Sequence, residues 1–574
     1  MPSCARVDNP RSLRRLAIGL AIGGRLATCP TARRAVYHPY MQLTIAALLS
    51  VTATLAATSG LETVVKIDSG LVSGSGTAVR SYKGIPFAAP PVGALRWKPP
   101  QPVKPWKGVR IAKTFPALCP QFQFVPGPQS EDCLGLNVWT PARSASEKLP
   151  VMVWIHGGGF VLGASSQSAY DGETLATEGV VVVSINYRLG IFGFLAHPEL
   201  SKESPQGVSG NYGLLDMVAG LEWAKRNIAA FGGDPNNVTI FGESAGGTAV
   251  CLLMVVPQAQ GLFHKVIAES AWGMFNPISH LKESWYGRIS MEKFGEAQGD
   301  LATLRSKSMA DIIKMLGPPA IGDDKADKGE AYVPVVDGVV LPDDPARLFS
   351  SGKFAHVGLI AGTNADEGTL LGGPPVHNLA DLRKYAQKTF GPQTDGLLAI
   401  YPASTDTDAY DAAAHISGDY EFLHGTLSVL RAVSKGQHKV FQYQFTRVNG
   451  VGRRLKWGSF HASEVPYVFG VLPDSVYGTT ASFIGDFSVD ADTYNDVDAR
   501  LSKAMGPAWV RFAKTGDPNG PGLTSWPAFT EGNENYLEFG DSIVAKTAMR
   551  KKQLDFLTDF NAAQRNHGAI TTSR

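Results

Sequence analysis

The chain has 574 residues, 44% of them hydrophobic and 18% charged, with a formal net charge of +2 at pH 7. A chain of this length and apolar content can bury a large core, and its near-neutral balance, without a dense Lys/Arg stripe and interleaved aromatics, argues against a nucleic-acid partner. There is no H-E-x-x-H, no paired Cys/His spacing and no G-x-x-x-x-G-K-[ST] phosphate cradle, so no metal or cofactor is expected.

In chain order, the first feature is an apolar stretch from Met41 to Ala57, preceded by Arg33 and Arg34 and ending in small residues. It has the pattern of a secretory signal peptide cut between Ala56 and Gly60, and it is too short for a stable membrane span. We expect residues 1–59 to be a leader region, with the signal peptide at 41–59, and the protein to be secreted or periplasmic. Val151 to Ile155 then reads as a buried strand running into His156-Gly157-Gly158-Gly159-Phe160, a loop whose bare amides could meet developing negative charge. Val180 to Ile185 and Leu214 to Ala230 continue a strand and helix rhythm, which predicts a mostly parallel sheet covered on both faces.

Val238 to Phe241 leads directly into Gly242-Glu243-Ser244-Ala245-Gly246, which opens an apolar helical run. Strand, sharp turn and helix are what a serine nucleophile elbow requires, and the flanking small residues let the turn close tightly. The chain therefore reads as a serine hydrolase. In the α/β-hydrolase plan the order is serine, acid, histidine, so His156, which precedes the serine, is assigned to shaping its loop. After Ser244, the strand Leu359 to Gly362 ends in a turn with two adjacent carboxylates, Asp366 and Glu367, either of which could orient an imidazole. Among six later histidines, His461 is set apart by the turn-like stretch Trp457 to Glu464 running into apolar Val465 to Phe469, although spacing alone does not decide for it. The regions around 279–334 and 375–440 are patterned as helical insertions over the active site.

From about residue 62 to 550 the chain resembles the type-B carboxylesterase/lipase family of cholinesterase-like α/β-hydrolases. The resemblance rests on Tyr82 to Phe87, Pro91 to Arg96, Ser130 to Val138, His156 to Phe160 and Asn186-Tyr187-Arg188. It continues through Gly210 to Asp216, Phe231 to Pro235, Phe241 to Gly247, Asn364 to Gly368 and Phe512 to Pro518. It implies an α/β-hydrolase domain over 60–555, followed by a tail at 556–574. It further implies that Ser244 is the nucleophile, Glu367 rather than Asp366 the acid, and His461 the base, with the Gly158, Gly159 and Ala245 amides as oxyanion hole. Arg96 with Glu131 and Arg188 with Asp216 are implied as structural ion pairs. Of the five cysteines, the resemblance favours a Cys119–Cys133 disulfide, which in an oxidising compartment closes a loop worth roughly 3 kcal/mol of chain entropy. Cys251 is left as a buried thiol.

The expected activity is hydrolysis of small carboxylic esters through an acyl-enzyme, with the substrate as the expected partner and the oligomeric state unread. Compared with the cholinesterases the Cys119 to Cys133 loop is short and has only Phe122 and Phe124 as aromatics, so choline specificity is not expected; compared with the lipases it is too short for a long mobile lid. Trp272 and Phe275, after Ile267 to Ser270, are expected to approach the acyl pocket. The alternatives are a lipase for long-chain acylglycerols and an esterase for mycotoxins that carry polycarboxylate esters. A non-catalytic adhesion protein of the neuroligin type is disfavoured because serine, acid, histidine and glycine loop are all present.

Overall fold

Val151 to Ile155 and, but for Ser184, Val181 to Ile185 are apolar without alternation, the pattern of strands covered on both faces, and every residue of both runs is buried. In the computed structural model, which describes residues 63–122, 125–271, 287–316, 332–372, 374–472 and 493–571, they are adjacent inner strands of a ten-stranded sheet. In chain order the strands are β1 (Val64–Ile67), β2 (Gly70–Ser73), β3 (Arg80–Pro86), β4 (Val109–Ile111), β5 (Gly135–Thr140), β6 (Leu149–Ile155) and β7 (Val181–Ile185). They continue with β8 (Gly233–Glu243), β9 (Lys265–Glu269), β10 (Gly358–Asn364), β11 (Val440–Phe445), β12 (Asn535–Phe539) and β13 (Ile543–Thr547). The large sheet is ordered β13-β12-β11-β10-β9-β8-β6-β7-β5-β3, while β1, β2 and β4 form a separate small sheet. Pairing is parallel from β7 through β6, β8, β9, β10 and β11 to β12, and antiparallel at both margins.

Alternate residues of β6 face opposite layers. Val151, Val153 and Ile155 pack with Leu214, Met217 and Leu221 of α1 (Tyr212–Asn227). Met152 and Trp154 face the other way, where the Trp154 ring lies 4.8 Å from Phe241 and 4.9 Å from Phe469. This is the α/β-hydrolase fold, a mostly parallel sheet with helices on both faces. The elbow helix is α2 (Ala245–Leu253). The first insertion contributes α3 (Arg288–Glu296), α4 (Leu301–Ser306) and α5 (Met309–Leu316); the second contributes α6 (Leu379–Phe390), α7 (Asp406–Gly418) and α8 (His424–Val433). Between α7 and α8 a π turn spans Asp419–Leu423. Helices α9 (Val465–Phe469) and α10 (Asp496–Thr515) follow.

The last helix, α11 (Lys551–Thr571), runs straight through the 555/556 boundary drawn from sequence. Leu554, Leu557 and Phe560 recur at helical spacing and are buried, with the Phe560 ring 4.8 Å from Phe390. The polar residues between them hide this stripe from a composition-based reading. Among the described residues no helix is long and apolar enough to cross a membrane.

Candidate active site

Three loops leave the carboxyl ends of β6, β8 and β10, where open parallel sheets place their ligands. At the end of β8, Ser244 has φ 59° and ψ −124°, a left-handed conformation that costs a non-glycine residue about 1–3 kcal/mol and persists only when its surroundings enforce it. The enforcement is close packing. A Cβ on Gly242 would stand 2.6 Å from the Ile155 carbonyl oxygen, and one on Gly246 would stand 2.0 Å from it, so only glycine lets the turn sit against the end of β6. Ser244 caps α2, and its own amide donates to the Glu269 carbonyl at 2.9 Å.

The glycine loop lies against this turn, because a Cβ on Gly157 would meet Ser244 Cβ at 2.9 Å. Gly158 and Gly159 have φ values of 105° and 62°, and no acceptor among the described residues is bonded to their amides. The His156 ring stacks on Tyr187 at 4.5 Å, with Nδ1 2.9 Å from the Gly157 carbonyl oxygen. Burial pushes that imidazole down to about 4, which keeps it neutral and suits a packing role.

Asp366 and Glu367, adjacent in sequence, diverge in space. Glu367 Oε2 accepts from His461 Nδ1 at 2.6 Å, and Oε1 accepts from Ser270 Oγ at 2.5 Å and the Asn364 amide at 2.7 Å. Asp366 instead accepts the Ser459 amide at 2.8 Å and lies 3.3 Å from His415 Nε2. Asn364 Nδ2 donates to the Phe460 carbonyl at 2.8 Å, so the turn after β10 holds the backbone of the His461 loop as well as its ring. Phe422, in the π turn, packs on the imidazole with centroids 4.6 Å apart; π turns inside helices are frequent at functional sites.

His461 Nε2 is 3.1 Å from Glu243 Oε1, an ion-pair distance. Ser244 Oγ forms no hydrogen bond among the described residues; such bonds are often loose without substrate and close when the ester binds. Burial opposes a charge on His461, yet the carboxylates of Glu243 and Glu367 outweigh it and raise the ring to about 9. Burial likewise raises Glu243, Glu464 and Glu269 above the ordinary carboxyl range, each reinforced by a neighbouring carboxylate. Glu269 accepts from Trp509 Nε1 at 2.9 Å, and Glu464 accepts from Asn364 Nδ2 at 2.6 Å.

Sequence reasoning did not assign Ser270, Glu243, Glu269, Glu464 or Phe422. Glu243 and Glu464 stand one and three residues from Ser244 and His461, so adjacency was available as a signal. Glu269 and Ser270 reach the site only because β8 and β9 pair Glu243 with Glu269. Trp272 and Phe275 lie outside the described residues, as does Phe124. The structure contains the Cys119–Cys133 disulfide, whose loop is tied to the chain beyond the glycine loop by paired bonds of 2.9 Å between Gln121 and Gly163. Cys251 is a buried thiol, as expected. Arg96 Nε donates to Glu131 at 2.7 Å, and Arg188 bonds Asp216 twice at 2.7 Å, both away from the reacting groups. Among the described residues, no three His, Cys, Asp or Glu side chains are arranged to hold a metal ion.

Residues 61–557 match the model of the Carboxylesterase family. The chain belongs to that family. The esterase is 39% identical over 481 residues to a fumonisin B1 esterase of Sphingopyxis macrogoltabida, covering 83% of this chain and 86% of the relative. It is 36% identical over 464 residues to a para-nitrobenzyl esterase of Bacillus subtilis (strain 168), covering 79% and 89%. Among solved structures, a Geobacillus stearothermophilus carboxylesterase superposes with a TM-score of 0.73 at 33% identity, covering 86% of this chain and 99% of that one. The esterase is therefore a carboxylic ester hydrolase.

Proposed function

We propose that Ser244 is the nucleophile, His461 the general base and Glu367 the acid that orients it, with the Gly158, Gly159 and Ala245 amides receiving the oxyanion. The observation that carries this reading is the 2.6 Å bond from His461 Nδ1 to Glu367, which fixes the tautomer and turns Nε2 toward the elbow. Nε2 takes the Ser244 proton as Oγ attacks the ester carbonyl, Glu367 stabilises the imidazolium, and the glycine amides hold the tetrahedral oxyanion. Nε2 then returns the proton to the leaving alcohol. Water repeats the cycle, releasing the carboxylic acid and restoring Ser244. Each oxyanion donor is worth about 3 kcal/mol in comparable acyl transfers, so the glycine loop weighs nearly as much as the side chains.

Ser244→Ala tests the reading. Esterase turnover and covalent labelling by an organophosphonate should both vanish, while the circular dichroism spectrum stays that of the parent. Labelling that persists in this variant overturns the assignment.

The preferred substrates on this reading are small, soluble, neutral carboxylic esters. The short Cys119 to Cys133 loop supports it, and a rate that rises sharply above the solubility limit of a long-chain ester would contradict it. The disulfide also supports export to a secreted or periplasmic location. N-terminal sequencing of exported protein should then begin near residue 60, and a start before Met41 would count against it.

A further inference from the structure

Between Asp68 and Glu131 the sequence contains no Asp or Glu, yet it carries eight Lys and Arg residues. Four of these are answered by the fold. Arg96 pairs with Glu131, Lys98 with Glu203, Lys83 stands 3.9 Å from Asp171, and buried Arg80 donates to the Ala142 carbonyl. Asp68, the acid that opens this stretch, is taken by Arg226 at 2.9 Å. The other four, Lys104, Lys107, Arg110 and Lys113, are exposed; together with exposed Lys66 they form no ion pair among the described residues.

These cations surround the small sheet of β1, β2 and β4, whose register sorts its two faces. Lys66 pairs with Leu71 and Leu71 with Val109, while Val64 pairs with Ser73 and Ser73 with Ile111. Paired residues share a face, and alternate residues along a strand face opposite ways. Val65, Ile67 and Val72 therefore point into the core, where all three are buried. The outer face holds Val64, Lys66, Leu71, Ser73, Val109 and Ile111, and exposed Lys113 stands two residues beyond the end of β4. Val109 is 49% exposed and Ile111 73% exposed, so β-branched apolar side chains face solvent between lysines.

We propose that this outer face is a docking surface for an anionic lipid bilayer. Val109 and Ile111 enter the headgroup layer, and Lys66, Lys107 and Lys113 meet lipid phosphates at its edge. Short aliphatic side chains flanked by lysines, with the neighbouring carboxylate of Asp68 already held by Arg226, match an interface that is negative outside and apolar beneath. Nucleic acid fits less well, because the ring that could stack on bases is turned away: Trp106 Nε1 donates to the Leu71 carbonyl at 2.9 Å and its ring closes against Gly70. A second copy of the chain also fits poorly, since three strands of four, four and three residues form a strip only about 13 by 10 Å. A stable protein interface needs about 800 Å² per partner.

Co-sedimentation with vesicles tests the proposal, using the protein as purified from the cells that produce it. At low salt it should sediment with mixed phosphatidylglycerol/phosphatidylcholine vesicles and stay in solution with pure phosphatidylcholine. Each lysine near the surface should contribute about fivefold to partitioning, so a variant carrying Lys66→Gln, Lys107→Gln and Lys113→Gln should bind roughly a hundredfold more weakly. Its turnover of a soluble ester should match the parent, because none of these residues belongs to the site. Ile111→Ser should weaken binding without altering the salt dependence. Parent and variants have the same N-terminal segment, so any contribution it makes cancels in the comparison. Equal binding to both vesicle types, or unchanged partitioning of the triple variant, overturns the proposal; so does failure to bind vesicles, whether or not Ile111→Ser dissolves a dimer seen by light scattering.

Discussion

Glu367 uses both carboxylate oxygens at the site, one on His461 and the other on Ser270 and the Asn364 amide. Glu367→Gln should therefore lower kcat by about four orders of magnitude, because the amide favours the wrong imidazole tautomer. Asp366→Asn should cost at most about a hundredfold, the scale of a displaced loop, since Asp366 holds the Ser459 amide and faces His415 rather than His461. Steady-state kinetics on a soluble ester separates the two, and a larger loss at Asp366 would reverse the assignment. Glu243 has a different role, since its carboxylate contributes to holding the His461 imidazole above its ordinary range. On the proposed mechanism His461 must be neutral to act, so activity should rise as pH climbs through about 9. Removing the negative charge with Glu243→Gln lets the ring lose its proton earlier, and the acid limb of kcat/KM should move to lower pH. A limb that stays in place would show that Glu243 does not set the base.

At the scale of elements, chain order and local pattern were enough to locate β6, β8 and β10 and the loops that leave them. Each contains a short apolar stretch that runs into a glycine-rich or polar turn, and these signals are local. What could not be read depends on pairing between distant segments. Ser270 reaches Glu367 across 97 positions, and the π turn that places Phe422 on His461 has no distinguishing composition. The final helix is a similar case, because its apolar stripe acquires meaning only from the Phe390 and Tyr420 surface it covers. Phe560 is fully buried there, so Phe560→Ala should destabilise the esterase by about 3–5 kcal/mol in denaturant unfolding while leaving kcat of the folded fraction unchanged. A loss under 1 kcal/mol would mean that α11 is dispensable.

For the whole molecule, the cost of the site falls on stability at alkaline pH. Glu243, Glu269 and Glu464 each retain a proton in the fold after the same groups in the unfolded chain have lost theirs, and His461 does the same at higher pH. In that range the native state binds more protons than the unfolded state, so the slope of unfolding free energy with pH is negative. All four groups act in one direction. Their contribution is fully present below the ordinary carboxyl value of 4.5 and is lost progressively as pH rises toward about 9, where His461 follows. Glu269 is the member best suited to a test, because it sits behind the reacting groups and its Oε1 accepts from Trp509 Nε1 at 2.9 Å. Glu269→Gln keeps an acceptor for that indole and removes one charge that must otherwise be buried near Glu464. The variant should melt at a higher temperature than the parent at pH 9, with a shallower fall in Tm between pH 6 and pH 9. Differential scanning calorimetry across that range decides the matter, and parallel Tm profiles for the two proteins would show that Glu269 carries no part of the alkaline loss.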